Sequence, residues 1–109
     1  MAYALVTGAS GGIGLELARL LAGDGYDLVL VARSRTKLEA LADDLEAKHG
    51  VTTQVMELDL TRPEAPGELV RRLAGRGIEV EILINNAGFG LYGEFATTGW
   101  DRNRDMIRL

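Results

Sequence analysis

A short apolar run, Tyr3 to Val6, leads directly into Thr7-Gly8-Ala9-Ser10-Gly11-Gly12-Ile13-Gly14, and nothing else in the chain restricts its fold as tightly. The run reads as a strand buried on both faces, and Ile13 to Leu21 continues in helical period. The glycines therefore occupy a strand-to-helix turn. Bare backbone there lets a pyrophosphate approach, and the free N–H groups and dipole of a helix N-terminus favour an anion. The spacing is G-x-x-x-G-x-G, from Gly8, Gly12 and Gly14; a G-x-G-x-x-G reading fails because Leu17 stands where a third glycine would be. A second signature, Asn85-Asn86-Ala87-Gly88, closes a later apolar run.

The intervening sequence alternates strands and helices. Strands are predicted at about 3–7, 27–32, 53–58 and 80–85. The first helix, Gly12 to about Ala22, is expected to bury Ile13, Leu17, Leu20 and Leu21 and to stop at the Gly23/Gly25 turn. The second starts after Ser34, a side chain suited to capping, and carries Leu38, Leu41, Ala42 and Leu45 on one face before Gly50. The third is expected to open at Thr61-Arg62-Pro63-Glu64, a capping box with proline in its first turn, and to bury Leu69, Val70 and Leu73. Such βα units predict an α/β fold, a Rossmann-type doubly wound parallel sheet of which this chain is the first half, with strand order 3-2-1-4. Thr98-Gly99-Trp100-Asp101 suggests a further helix, beginning near 99, within which the sequence stops at Leu109.

Bulk properties exclude several classes. A chain of 109 residues is one domain at most. Its net charge of −4 argues against wholesale electrostatic binding to nucleic acid, so attraction to a phosphate must be local. No apolar run is long enough for a membrane span, and no signal-peptide pattern opens the chain. Without cysteine there is neither a disulfide nor a thiolate metal site, which fits a cytoplasmic location. The single histidine, His49, stands before Gly50 at a helix end, where it most simply complements the dipole.

The two glycine signatures, in this order and each at a strand end, resemble those of the short-chain dehydrogenase/reductase family, over essentially the whole chain. The resemblance implies a nicotinamide-dinucleotide cofactor held by Gly8, Ser10, Gly12, Ile13 and Gly14. It also assigns the Asp59 carboxylate to the adenine amino group with the Leu60 backbone alongside, and the Asn86-Ala87-Gly88 backbone to the cofactor wall. Asp59 has a local alternative, ordering the turn before Thr61. Phe89 to Gly93, an apolar glycine-spaced loop, either overhangs the nicotinamide or has no specific role.

Cofactor choice is read at the end of the second strand. An NAD-specific fold places Asp or Glu there for the ribose 2′-hydroxyl. This strand instead ends Val31-Ala32-Arg33-Ser34-Arg35, with Asp27 at its far end. An arginine pairs with a 2′-phosphate that a carboxylate would repel. Members of the resembled family that prefer NADP use an arginine at the position of Arg33, and Ser10 and Ser34 offer hydroxyls nearby. NADP(H) is thus expected over NAD.

The same family transfers a hydride between nicotinamide and a carbonyl or alcohol, with a Y-x-x-x-K tyrosine as acid/base and a serine orienting the substrate. None of that is here. The residues four after Tyr3, Tyr26 and Tyr92 are Thr7, Leu30 and Ala96; the serines are Ser10 and Ser34, and the lysines Lys37 and Lys48. The chain is therefore expected to be the NADP(H)-binding portion of a short-chain oxidoreductase, without catalytic residues or turnover of its own. A non-catalytic dinucleotide-binding or sensing module is the alternative. A methyltransferase using S-adenosylmethionine would want an acid where Ala32 and Arg33 stand. Were these 109 residues the whole polypeptide, the fourth strand would be an open edge, and homo-oligomerisation through it and the Trp100 helix is expected.

Overall fold

The computed structural model describes residues 2–86 and the backbone of residues 105–108. In chain order the elements are β1 (Ala2–Thr7), α1 (Gly12–Gly23), β2 (Asp27–Ala32), α2 (Arg35–His49), β3 (Thr53–Glu57), α3 (Ala65–Gly75), β4 (Glu79–Asn85) and β5 (Asp105–Arg108). All pairings are parallel, and the sheet runs β3-β2-β1-β4-β5. The expected 3-2-1-4 order is thus present, with one strand added.

Because side chains alternate along a strand, β1 and β2 divide their apolar residues between two cores. Ala4, Val6, Leu28 and Leu30 face α1 and α2, meeting Ala18, Ala22, Leu38, Leu41 and Leu45. Tyr3, Leu5, Val29 and Val31 face the other side, where α3 lays Ala65, Leu69 and Leu73 on them with Met56 and Leu83. Helices thus cover both faces. Glu81 would break the apolar run of β4, but the β1–β4 register skips it: Tyr3 pairs with Val80 and Ala4 with Ile82. The irregularity leaves Glu81 exposed while Val80, Ile82, Leu83 and Ile84 stay buried.

Three expectations change. First, α1 buries Gly14, Ala18 and Ala22, whereas Ile13 is 61% and Leu20 65% exposed. The small residues recur every four positions and let the helix lie close to the sheet, which turns Ile13 and Leu20 outward; Leu17 and Leu21 are partly buried. Second, α3 starts at Ala65 with Pro66 in its first turn, later than the Thr61 capping box implies. The Thr61 hydroxyl is used elsewhere: it donates to Asp59 Oδ1 at 2.6 Å. Third, residues 105–108 are not helical. They pair along the outer side of β4, Ile82 with Asp105 through Asn85 with Arg108, so β4 is not an open edge. A strand edge offers unmade N–H and C=O bonds, and pairing along it satisfies those of this short segment as well. Residues 98–104, where the helix start was expected, lie outside the described residues.

Candidate functional site

The carboxyl ends of β1, β2 and β3 surround a groove of about 400 Å³. Its lining is Gly8 and Ser10 from the turn after β1, Val31 to Ser34 with Lys37 from the β2–α2 junction, and Leu58 to Thr61 after β3. This is the crevice outside the strand ends where open α/β sheets bind ligands.

The glycine turn is built by close backbone approach. Gly8 and Gly12 take φ of 64° and 60°, a region side chains resist. Ala9 N–H donates to the Val31 carbonyl at 3.2 Å, tying the turn to β2. At Gly14, helical and buried, a Cβ would collide with the Gly8 carbonyl oxygen and lie 2.9 Å from both the Gly8 carbonyl carbon and Asn86 Nδ2. A Cβ on Gly8 would also lie 3.0 Å from that amide nitrogen. Gly8, Gly14 and Asn86 therefore form one packed unit at the ends of β1 and β4. The N-cap of α1, Gly11, has no side-chain cap, and no acidic residue occupies the first turn. Its leading N–H groups are left to an outside acceptor.

At the second junction, Ser34 Oγ accepts from Lys37 N–H at 3.4 Å and caps α2. Arg33 is exposed on the rim. Asp27 is at the opposite end of β2, where its Oδ1 accepts from Thr52 N–H at 2.8 Å. Of the lining residues the one carboxylate is Asp59, on the β3 side. Its Oδ1 accepts from the Thr61 hydroxyl at 2.6 Å and from Thr61 N–H at 3.0 Å. These two bonds, with weaker help from the charges of Arg33 and Arg62, hold its carboxyl below the ordinary aspartate range. The local turn-ordering role of Asp59 is thus realised.

The groove brings together Gly8, Ser10, Arg33, Ser34, Asp59 and Leu60. Gly12, Ile13, Gly14 and Asn86 are outside its lining: Gly12 and Ile13 open α1, while Gly14 and Asn86 pack behind Gly8. Ala87, Gly88 and the Phe89–Gly93 loop lie outside the described residues. Sequence reasoning overlooked Lys37, although its place one turn after the Ser34 cap puts it on the same rim. It named Thr7 in the turn signature but gave it no role; Thr7 is buried at the end of β1, and its hydroxyl lies 3.2 Å from Asn85 Oδ1 and joins β1 to β4 beside the turn. No group of His, Asp and Glu among the described residues is placed to hold a metal ion. No helix among them is long and apolar enough to cross a membrane.

Residues 2–108 match the family model for short chain dehydrogenase. The chain belongs to the short-chain dehydrogenase family. A similar curated member is a very-long-chain 3-oxoacyl-CoA reductase of Phaeosphaeria nodorum, 42% identical over 98% of this chain and 33% of its own. The corresponding protein of Aspergillus clavatus is 37% identical over 98% of this chain and 32% of its own. The chain thus spans about a third of the length of these curated relatives. Among solved structures, a Sphingobium yanoikuyae short-chain dehydrogenase in complex with NADPH is 44% identical, with TM-score 0.72 over 82% of this chain and 34% of that one. A Thermococcus sibiricus alcohol dehydrogenase complexed with 5-hydroxy-NADP is 41% identical, with TM-score 0.75 over 83% of this chain and 38% of that one.

Proposed function

We propose that this chain is the NADP(H)-binding portion of a short-chain oxidoreductase whose substrate is a carbonyl or alcohol. The observation that carries the reading is the groove itself, where the β2 end offers Arg33 and Ser34 in place of a carboxylate. The residues fit a dinucleotide. Gly8 and Ser10 of the glycine turn line the opening, and the α1 N-terminus is uncapped by any side chain. In this reading Gly8, Ser10, Gly12, Ile13 and Gly14 hold the pyrophosphate region, Ile13 through its backbone. Arg33 and Ser34 take the ribose 2′-phosphate, Asp59 and Leu60 flank the adenine, and Asn86, Ala87 and Gly88 border the ribose next to the nicotinamide.

When bound, the cofactor supplies a hydride for reduction of the carbonyl, or accepts one in the reverse direction. The residues of this chain bind and orient. Gly14 lets α1 close on the turn, and Thr7 and Asn85 pin the two strand ends that carry it. Asp59, kept ionised by Thr61 and Arg33, presents a hydrogen-bond acceptor and no donor. The NADPH and 5-hydroxy-NADP complexes of the similar dehydrogenases support the cofactor. The reductase names of the curated relatives support the substrate class.

The test is charge reversal at the β2 end. Arg33→Asp removes a charge-assisted bond worth roughly 1.5–3 kcal/mol and adds a repulsion, so NADPH affinity should fall by tenfold or more. NADH affinity should hold or rise. A variant that still favours NADPH by calorimetry would contradict the assignment.

A further inference from the structure

Three cations follow one another after β2, and the structure makes them unequal. Arg35 is absent from the groove lining; its Nε is 3.4 Å from Glu39 Oε2, one turn further along α2. Arg33 lines the groove, but it also neighbours Asp59, whose carboxylate it helps keep ionised. Lys37 lines the groove as well. Its turn is fixed there by the bond from its N–H to Ser34 Oγ. Its ammonium makes no ion pair among the described residues, whereas Lys48, the other lysine of α2, is paired with Asp44 at 3.2 Å.

We propose that the Lys37 ammonium is a specificity-determining second cation for the ribose 2′-phosphate, acting beside Arg33. The inference rests on the dinucleotide reading above and adds to it a residue that reading does not contain. The argument is one of charge. A phosphate monoester with a second pKa of about 6 is mostly a dianion at neutral pH. In the groove, the Asp59 carboxylate offsets one positive charge, so Arg33 alone would leave the rim neutral. Lys37 makes it net positive. The two cations also differ in form: arginine supplies a planar fork, and lysine a compact charge on a flexible stem that can follow the phosphate. Arg35, held by Glu39, is not needed.

The probes are 2′,5′-ADP and 5′-ADP, which differ by the 2′-phosphate and contain no nicotinamide, titrated calorimetrically into the full chain. Lys37→Gln should weaken 2′,5′-ADP by about tenfold, the value of a charge-assisted contact, and leave 5′-ADP unchanged. It should also flatten the fall of 2′,5′-ADP affinity with added salt, since one screened attraction is gone. Lys37→Arg should keep the preference, and Arg35→Gln should alter neither ligand. Equal effects of Lys37→Gln on both ligands, no effect on either, or an equal loss on Arg35→Gln would overturn the proposal. If the unmodified chain preferred 2′,5′-ADP and Lys37→Gln left that preference intact, only the Lys37 role would fall. If the unmodified chain bound neither ligand, the dinucleotide reading would fall and take this inference with it.

Discussion

Gly14→Ala isolates the close approach on which the glycine turn depends. Two effects oppose each other. Alanine in a helix interior is favoured over glycine by about 1 kcal/mol. Against this, the new Cβ meets backbone, the Gly8 carbonyl, with Asn86 Nδ2 at 2.9 Å on its other side. Overpacking of this kind costs about 1–3 kcal/mol, and the upper end applies because a carbonyl in a hydrogen-bonded turn cannot swing aside as a side chain does. The net expectation is a loss of about 2 kcal/mol, which lowers the melting temperature by roughly 10 °C in a domain this small. Gly75→Ala is the matched control. It stands in the last turn of α3, with an ordinary φ and nothing near its Cβ, so alanine there should gain about 0.5–1 kcal/mol. Urea unfolding followed by far-ultraviolet circular dichroism measures both. A Gly14→Ala midpoint equal to or above that of the unmodified protein, with an unchanged slope, would refute the claimed contact.

Other expectations follow from the same geometry. Leu69→Ala, in the core under α3, should cost about 2–5 kcal/mol, whereas Leu20→Gln should change stability by less than about 0.5 kcal/mol; equal costs in urea unfolding would contradict the outward turn of Leu20. Asp59 and Glu68 both have carboxyls held below their ordinary values, Asp59 chiefly by Thr61 and Glu68 chiefly by Arg72. A folded-state pKa below the unfolded one stabilises above the unfolded value and is lost as pH falls through the folded value. Their contribution should therefore be complete at neutral pH, begin to fade only near the ordinary carboxylate values of about 4, and be lost as pH falls further through the folded values. Thr61→Val should move the Asp59 titration, followed by NMR, up toward the ordinary aspartate value, and an unmoved titration would remove Thr61 as the cause. Gly14→Val should abolish dinucleotide binding, and retained affinity with an intact fold would place the pyrophosphate elsewhere.

The parts of the fold that are legible in the sequence are those where one local signal decides the outcome. Ser34 and Gly50 bracket α2 as their side-chain chemistry and left-handed φ require, and the buried Leu38, Leu41, Ala42 and Leu45 follow from that start. The parallel sheet follows from the alternation of units, whereas its 3-2-1-4 order is that of the doubly wound fold which the glycine signatures point to. Misjudged details came from competition between signals. Hydropathy alone favours burial of Ile13 and Leu20, but the sheet is met by Gly14, Ala18 and Ala22, because small residues permit the closer approach. Thr61 has the residue type of a cap, yet Asp59 two positions earlier captures its hydroxyl. In the lining of the groove, Gly8 and Arg33 are readable from type and position. Lys37 is not, because its relevance depends on which helix face borders the groove, and Asn86 proved to be a packing partner of Gly8 and Gly14 before anything else. Residues 105–108 follow the unmet edge of β4, a long-range demand that no local pattern at Asp105 to Arg108 announces.

Isothermal titration of the unmodified protein with NADPH and with NADH, at one moderate ionic strength, tests the central claim most directly. NADPH should bind by about tenfold or more tightly, the worth of at least one charge-assisted contact to the 2′-phosphate. Equal affinities, or tighter binding of NADH, would contradict it.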